Sequence, residues 1–241
     1  MISIVPVHGL PEIREGDDLG AFIAGHAELE DGDVVVVAQK VVSKSEGRVI
    51  RIDSLEPSAK AVELAGDERD PREVEAILRE AKQIIRERGP LVIAQTRHGF
   101  ICASAGVDQS NTPAAGMLVL LPLDPDTSAA RLRDELRQRT GRDVGVVVTD
   151  SFGRPWRQGT TDVAIGAAGI EVMRELSGER DPVGYELKAT LIAIADEIAG
   201  AAQLVAGKLE RVPVTIVRGL DVRGNGKATD IPIPPELDLF G

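Results

Sequence analysis

Apolar and polar positions in this chain fall into short blocks whose period changes repeatedly between that of a strand and that of a helix. Residues 2–7 alternate as a short strand. Residues 34–42 form a strongly apolar strand interrupted by Gln39 and Lys40. Between them, residues 17–26 put Leu19, Phe22, Ile23 and His26 on one helical face. Glu56-Pro57 starts a helix reaching about Ala65. Asp70-Pro71-Arg72-Glu73 carries the cap, first-turn proline and acid of another helix. That helix places Val74, Ile77, Leu78, Ala81 and Ile85 together and ends before Gly89-Pro90. Residues 91–96 and 100–107 flank His98-Gly99 as a hairpin, and 117–121 form a further strand. A helix opening at Asp126 or Thr127 closes at Gly141, with Leu132 and Leu136 inward. Residues 144–148 read as a buried strand that breaks into Thr149, Asp150 and Ser151, and 163–169 are small and apolar. The longest helix is predicted over about 185–206, and the last strand over 212–217. The proline-rich end, IPIPPELDLFG, is expected to be extended. The pattern predicts one α+β domain over 1–241, with mixed sheets folded as two lobes and an extended tail over 223–241.

Composition narrows this picture. At 241 residues with 43% hydrophobic content, the chain is long enough to bury a core without staples. Its six aromatics are Phe22, Phe100, Phe152, Trp156, Tyr185 and Phe240, so the core must be Val, Ile, Leu and Ala. The single cysteine, Cys102, sits in an apolar stretch, fits a reducing compartment and reads as inert core. Met1 leads straight into ISIVPV without a basic or long apolar leader, and the longest apolar run is far too short for a bilayer. A cytoplasmic protein is expected, without a membrane partner. A net charge of −11 argues against nucleic acid as partner.

Chemistry concentrates in VGVVVTDSFGRPWRQGTTD, residues 144–162. An acid and a hydroxyl at a strand tip are hard oxygen ligands suited to Mg²⁺ or Mn²⁺. Arg154 and Arg157 suit phosphate or carboxylate oxygens. A polar loop with solvated acids would look similar. The segment has neither P-loop nor Rossmann signature elsewhere in the chain to support it, and His8, His26 and His98 are too scattered for a zinc motif. Other polar clusters follow apolar runs. Gly9, Leu10, Pro11, Glu12 and Ile13 form a turn; Gln39, Lys40, Ser43 and Lys44 follow the second strand. Asp108, Gln109, Ser110 and Asn111 put a second acid beyond a strand of small residues. Taken alone, Asp108 and Asn111 are also ordinary turn formers, and Lys40 and Lys44 ordinary edge lysines. Asp196-Glu197 reads as a solvated helix face.

Long strings of the chain resemble the coenzyme F420:L-glutamate ligase family. They include DGDVVVVAQKVVSKSEGR, AGVDQSN, LPLDPDTSA, VVTDSFGRPWRQGTTDVAIGAAG, DPVGYEL and PVTIVRGLDV, and the resemblance spans about residues 4–222. It implies GTP-dependent addition of γ-linked L-glutamate to the lactyl phosphodiester end of the coenzyme F420 precursor. It also implies Mg²⁺ or Mn²⁺, one or two per site, assistance by K⁺, and a homodimer. Carried onto this sequence, Leu10, Pro11, Glu12, Ile13, Gln39, Lys40, Lys44 and Asn111 would hold GTP. Asp108 and Asp150 would ligate one divalent cation, and Ser151, where relatives usually carry threonine, would serve a second. Near Lys208 the sequence departs from archaeal relatives that carry an acid for that second cation. Lys44 and Arg154 are the candidates for stabilising departing charge, and residues 152–159 the candidate closing loop. Two other readings share these residues: a metal-dependent nucleotide phosphohydrolase, and a non-catalytic nucleotide- or deazaflavin-binding module.

Overall fold

The computed structural model describes residues 1–239. Its strands are β1 (Ser3–Pro6), β2 (Val34–Ala38), β3 (Val49–Arg51), β4 (Ala81–Arg88), β5 (Leu91–Thr96), β6 (Ile101–Ala103), β7 (Met117–Val119), β8 (Gly145–Arg154), β9 (Arg157–Ala168), β10 (Arg174–Glu175), β11 (Leu191–Ile192) and β12 (Val214–Arg218). Its α-helices are α1 (Leu19–His26), α2 (Gln39–Ser45), α3 (Ala59–Ala65), α4 (Pro71–Glu80), α5 (Pro125–Thr140) and α6 (Ile194–Ala206). The architecture is α+β, with open, mixed sheets.

The central sheet has the order β1-β12-β2-β8-β9, in which only β2 and β8 run parallel. Alternate residues of a strand point to opposite faces. Val35, Val37, Val146, Val148 and Ile216 therefore join α1 and α5 in one cluster. Val34, Val36, Val147 and Val217 join α6 in the other. Burial on both faces explains why β2 and β8 are continuously apolar rather than alternating. Helix α5 begins close against β9: a Cβ on Gly166 would lie 2.2 Å from the carbonyl oxygen of Pro125.

A second set of elements, residues 49–120, has its own core. Leu64, Val74, Ile77, Val92, Ala94 and Leu118 pack between α3, α4 and the sheets β4-β5-β6 and β3-β7. Glu75 ties α4 to the segment before α3, accepting from the backbone N–H of Ser58 (3.0 Å) and from Arg79 Nε (2.8 Å). The Ser58 N–H, then Arg79, hold its pKa down to about 2, against an ordinary 4.5. A lowered carboxylate pKa stabilises the fold above the ordinary value and loses that stabilisation as pH falls through the folded value. Wild type should therefore lose on the order of 2 kcal/mol more than Glu75→Gln between pH 5 and pH 2. Urea unfolding of both proteins across that range is the measurement, and parallel losses would contradict the assignment.

Several elements depart from the sequence expectation. The helix predicted to run past Ala81 stops at Glu80, and residues 81–88 instead pair with β5 across the Gly89-Pro90 turn. Pairing with a β-prone partner outweighs the helical spacing of Ala81 and Ile85. The strand predicted through Val42 ends at Ala38. There the Ala38 N–H donates to Pro213 (2.9 Å), a partner with no N–H to return, and the chain turns into α2. Helix α6 starts at Ile194 rather than near Tyr185; residues 174–192 fold back on themselves through the Asp181–Tyr185 pair and the β10-β11 pairing. In the tail, Ala228–Asp230 and Pro235–Leu237 form 3₁₀ turns, and Phe240 and Gly241 lie outside the described residues. Among the described residues no helix is long and apolar enough to cross a membrane.

Candidate active site

Strand β8 does not break after Val148. It passes a register shift at Thr149 and continues to Arg154 in a long hairpin with β9. Its parallel neighbour β2 stops at Ala38, opposite Thr149. Asp150 and Ser151 thus sit one and two residues past the point where β2 departs, beside the start of α2 with Gln39 and Lys40. The acid of the 144–162 segment is on a strand, not a loop, beside the edge vacated by β2.

The second lobe meets this edge through Asp108. Its backbone pairs with Val119 (3.0 and 2.8 Å), and its carboxylate accepts from the Ser110 N–H (2.6 Å). Lys40 Nζ lies 2.7 Å from Asp108 and reaches Ser110 Oγ at 2.5 Å, so one lysine joins the two lobes. The loop is held in sparsely populated backbone, with Ser104, Ala105 and Asn111 all at positive φ. Burial works to raise the pKa of Asp108, but Lys40 and the Ser110 N–H outweigh it and hold the carboxyl below its ordinary value.

Asp150 is in the opposite condition. Burial pushes its pKa up to about 7; the Ser151 N–H and Lys40 act to lower it, while the charges of Asp108 and Asp162 raise it further. Among the described residues it has no ion-pair partner of its own. Ser151 Oγ donates to Asp162 (2.5 Å) across the hairpin and accepts from Lys208 Nζ (2.5 Å).

The remaining sequence candidates divide. Lys44 is buried, at 5% exposure, and pairs with Glu12 (2.5 Å) from the 9–13 turn. Gln39 is buried, accepts from Ser43 Oγ (2.8 Å), and leaves its Nε2 without a hydrogen-bond partner among the described residues. Ile13 is core and Leu10 packs against it, so their side chains serve the fold and only their backbone faces outward chemistry. Pro11 and Asn111 are exposed. Arg154 lies apart at the exposed hairpin tip, donating to the Gln158 carbonyl (3.1 Å). The expected closing loop, residues 152–159, is this strand hairpin, with Trp156 at positive φ and 86% exposed.

Asp162 as the partner of Ser151 was missed; recognising 144–168 as a hairpin would have paired them by register. Asp196 is not on a solvated face. It accepts from the Ala164 N–H (2.9 Å), and burial raises its pKa. Cys102 is buried, and the loss of water lifts its thiol to about 12, which matches an inert core residue.

The donor set fits a hard divalent cation. Asp150 carries a poorly compensated charge with Asp108 and the Ser151 hydroxyl nearby, and a cation would relieve the repulsion among the acids. Among the described residues no group of three or more His, Cys, Asp or Glu side chains converges. Two carboxylates with the remaining positions left to phosphate oxygens is how Mg²⁺ is commonly shared with a nucleotide.

Residues 9–219 match the family described as F420-0:gamma-glutamyl ligase. A Methanopyrus kandleri protein named coenzyme F420:L-glutamate ligase is 47% identical over 246 residues, covering 99% of this chain and 97% of its own. Proteins of the same name from Methanothermobacter thermautotrophicus and Methanocaldococcus jannaschii are 41% and 44% identical, over 99% and 96% of this chain and 98% and 94% of theirs. The chain is thus an enzyme of the ligase class. It belongs to the F420-0:gamma-glutamyl ligase family.

Proposed function

We propose that this enzyme joins the amine of L-glutamate to the carboxylate of the lactyl phosphodiester group of the coenzyme F420 precursor, a γ-linkage arising where a further glutamate is added to the first, using GTP and releasing GDP and phosphate. The observation that carries the proposal is the acid–lysine cluster at the β2–β8 edge, in a chain that matches the ligase family over residues 9–219.

A carboxylate accepts an amine poorly, so it must first be activated; an acyl phosphate made with the γ-phosphate of GTP does this. Phosphoryl transfer is catalysed mainly by positioning and by neutralising charge. Asp108 and Asp150 would hold Mg²⁺ or Mn²⁺, with the Ser151 hydroxyl beside them, and K⁺ would assist. Such a cation, when bound, would supply charge neutralisation for phosphoryl transfer. Lys40 and Lys44 bring two ammonium groups to the same edge, and Lys44 reaches phosphate by exchanging its contact with Glu12. The turn at residues 10–13 offers backbone N–H groups, and Asn111 completes the nucleotide site from the second lobe. Arg154 would act only once the hairpin tip folds over the bound substrates, which would also shelter the acyl phosphate from water.

The test is incubation with precursor, glutamate, GTP and Mn²⁺, with product mass and phosphate release followed together. A glutamyl mass increment with precursor-dependent phosphate release supports the ligase. Phosphate release without precursor would favour a nucleotide phosphohydrolase, and stoichiometric binding without turnover a non-catalytic module.

Assembly belongs to the same proposal. The strand at residues 34–38 is interior to the sheet; the edges are β1 and β9. The inner half of β9 is covered, since the N–H groups of Asp162, Ala164 and Ala167 donate to Gln203, Asp196 and Asp126. Residues 157–160, in its outer half, are exposed, as are Trp156, Leu204 and Leu209 on neighbouring segments. Open edges beside apolar surface favour association. A homodimer is expected at low micromolar concentration by sedimentation equilibrium, with dissociation accompanying unfolding. A folded, active monomer would remove the dimer from the proposal.

A further inference from the structure

We propose that the ammonium group of Lys208 takes the place of a second divalent cation beside Ser151, so that this site holds one divalent ion. The inference rests on the metal-dependent reading above and refines it.

At the β2–β8 edge the charges of Asp108 and Asp162 both act on Asp150, although the three carboxylates do not converge on one point, and two lysines meet this set. Lys40 pairs directly with Asp108 at 2.7 Å. Lys208 Nζ contacts Ser151 Oγ at 2.5 Å, and that hydroxyl donates to Asp162 at 2.5 Å. Only Asp150 among the three lacks a cationic partner by contact, direct or relayed, among the described residues. The cluster is therefore short of one positive partner, at Asp150. A hydroxyl has one donor and two acceptor lone pairs. In Ser151 the donor is committed to Asp162 and one lone pair to Lys208, so a cation on the remaining lone pair would share the oxygen with a positive charge already held there. A divalent ion placed there would lie against that ammonium in partly desolvated surroundings, where like charges repel strongly.

The position of Lys208 is not explained by the fold. It follows Gly207, the residue capping α6, and is exposed, and an exposed contact of this kind contributes little to stability. A lysine held on a serine beside two acids instead suits a phosphate oxygen, as a fixed point charge that needs no metal.

The experiment is Mn²⁺ binding by electron paramagnetic resonance of free Mn²⁺, on the whole chain, with and without the non-hydrolysable analogue β,γ-imido-GTP. Analogue-only samples supply the correction. Wild type should bind one Mn²⁺ per chain in both conditions. Lys208→Glu, which puts an oxygen ligand where the ammonium stood, should gain a second Mn²⁺; Lys208→Met, neutral and of similar length, should not gain a tight one. Two Mn²⁺ of similar affinity in wild type would overturn the inference while leaving the metal-dependent reading intact, and this arm needs no variant. A Lys208→Glu protein with an unchanged unfolding midpoint that still binds one Mn²⁺ would also overturn it. No Mn²⁺ on any of the three proteins would overturn the metal-dependent reading itself.

Discussion

Replacing Asp150 with asparagine is expected to lower turnover by at least about a thousandfold while leaving the fold within about 1 kcal/mol of wild type. The two halves of this expectation have one origin. Asp150 stands past the end of β2, short of water and without an ion pair among the described residues, facing the charges of Asp108 and Asp162. An amide of the same shape keeps the strand pairing with Val163 and removes a charge that the folded protein gains little from holding. What it cannot do is supply the anionic oxygen that a divalent ion needs. Steady-state rates measured over a range of Mn²⁺, beside urea unfolding curves, separate the two effects. Near-normal activity of Asp150→Asn at limiting Mn²⁺ would remove this residue from the metal site. A large loss of stability would mean that its carboxylate serves the fold.

Lys44→Ala should weaken GTP binding by roughly 10- to 100-fold, about 1.5–3 kcal/mol, with the precursor's affinity little changed. Lys44 is almost wholly buried, yet its partner Glu12 is mostly exposed, at 65%. A structural buried pair would ordinarily shield both members, because an unpaired buried charge is costly. Here one face of the ammonium is left toward the 9–13 turn, where a phosphate could displace a carboxylate held by a single contact. Alanine also leaves a cavity, so Lys44→Met, which keeps most of the side-chain volume, is the companion variant. Both should lose nucleotide affinity alike while Lys44→Met retains more stability. Calorimetric titration with GTP decides: unchanged affinity would return Lys44 to the role of a lysine whose stem packs against the sheet.

The sequence announces its elements where local chemistry is decisive. Helix α5 closes at left-handed Gly141 as expected, and opens slightly ahead of the expected Asp126 or Thr127, with Asp124 accepting from Thr127 and Pro125 in its first turn. The β5-β6 hairpin was likewise readable from its own turn. Legibility fails where the deciding partner is distant. Residues 81–88 have helical spacing but are claimed by β5, and β2 ends because Pro213, far along the chain, has no N–H to offer. The site follows the same rule. Lys40, Asp108, Asp150 and Ser151 stand out as polar residues after apolar runs, and the fold brings them to one edge. The partnership of Ser151 with Asp162 and Lys208 depends on a hairpin register and on the turn after α6, neither of which leaves a local mark.

The order of the central sheet also dictates how the chain must come into being on the ribosome. Strand β12, the last made, is seated between β1 and β2, the first two. Until Arg218 has emerged, β1 has no neighbour and one side of β2 stays bare. The second lobe is not so delayed, because β4, β5 and β6 pair with their immediate successors. Synthesis therefore yields a nascent chain with one lobe closed and the other waiting, its most apolar strand exposed for the interval. Long-range pairings are slow to form, and unpaired apolar strands invite misassociation meanwhile. The residues that carry Lys40 and Asp150 are thus the ones most dependent on protection during translation.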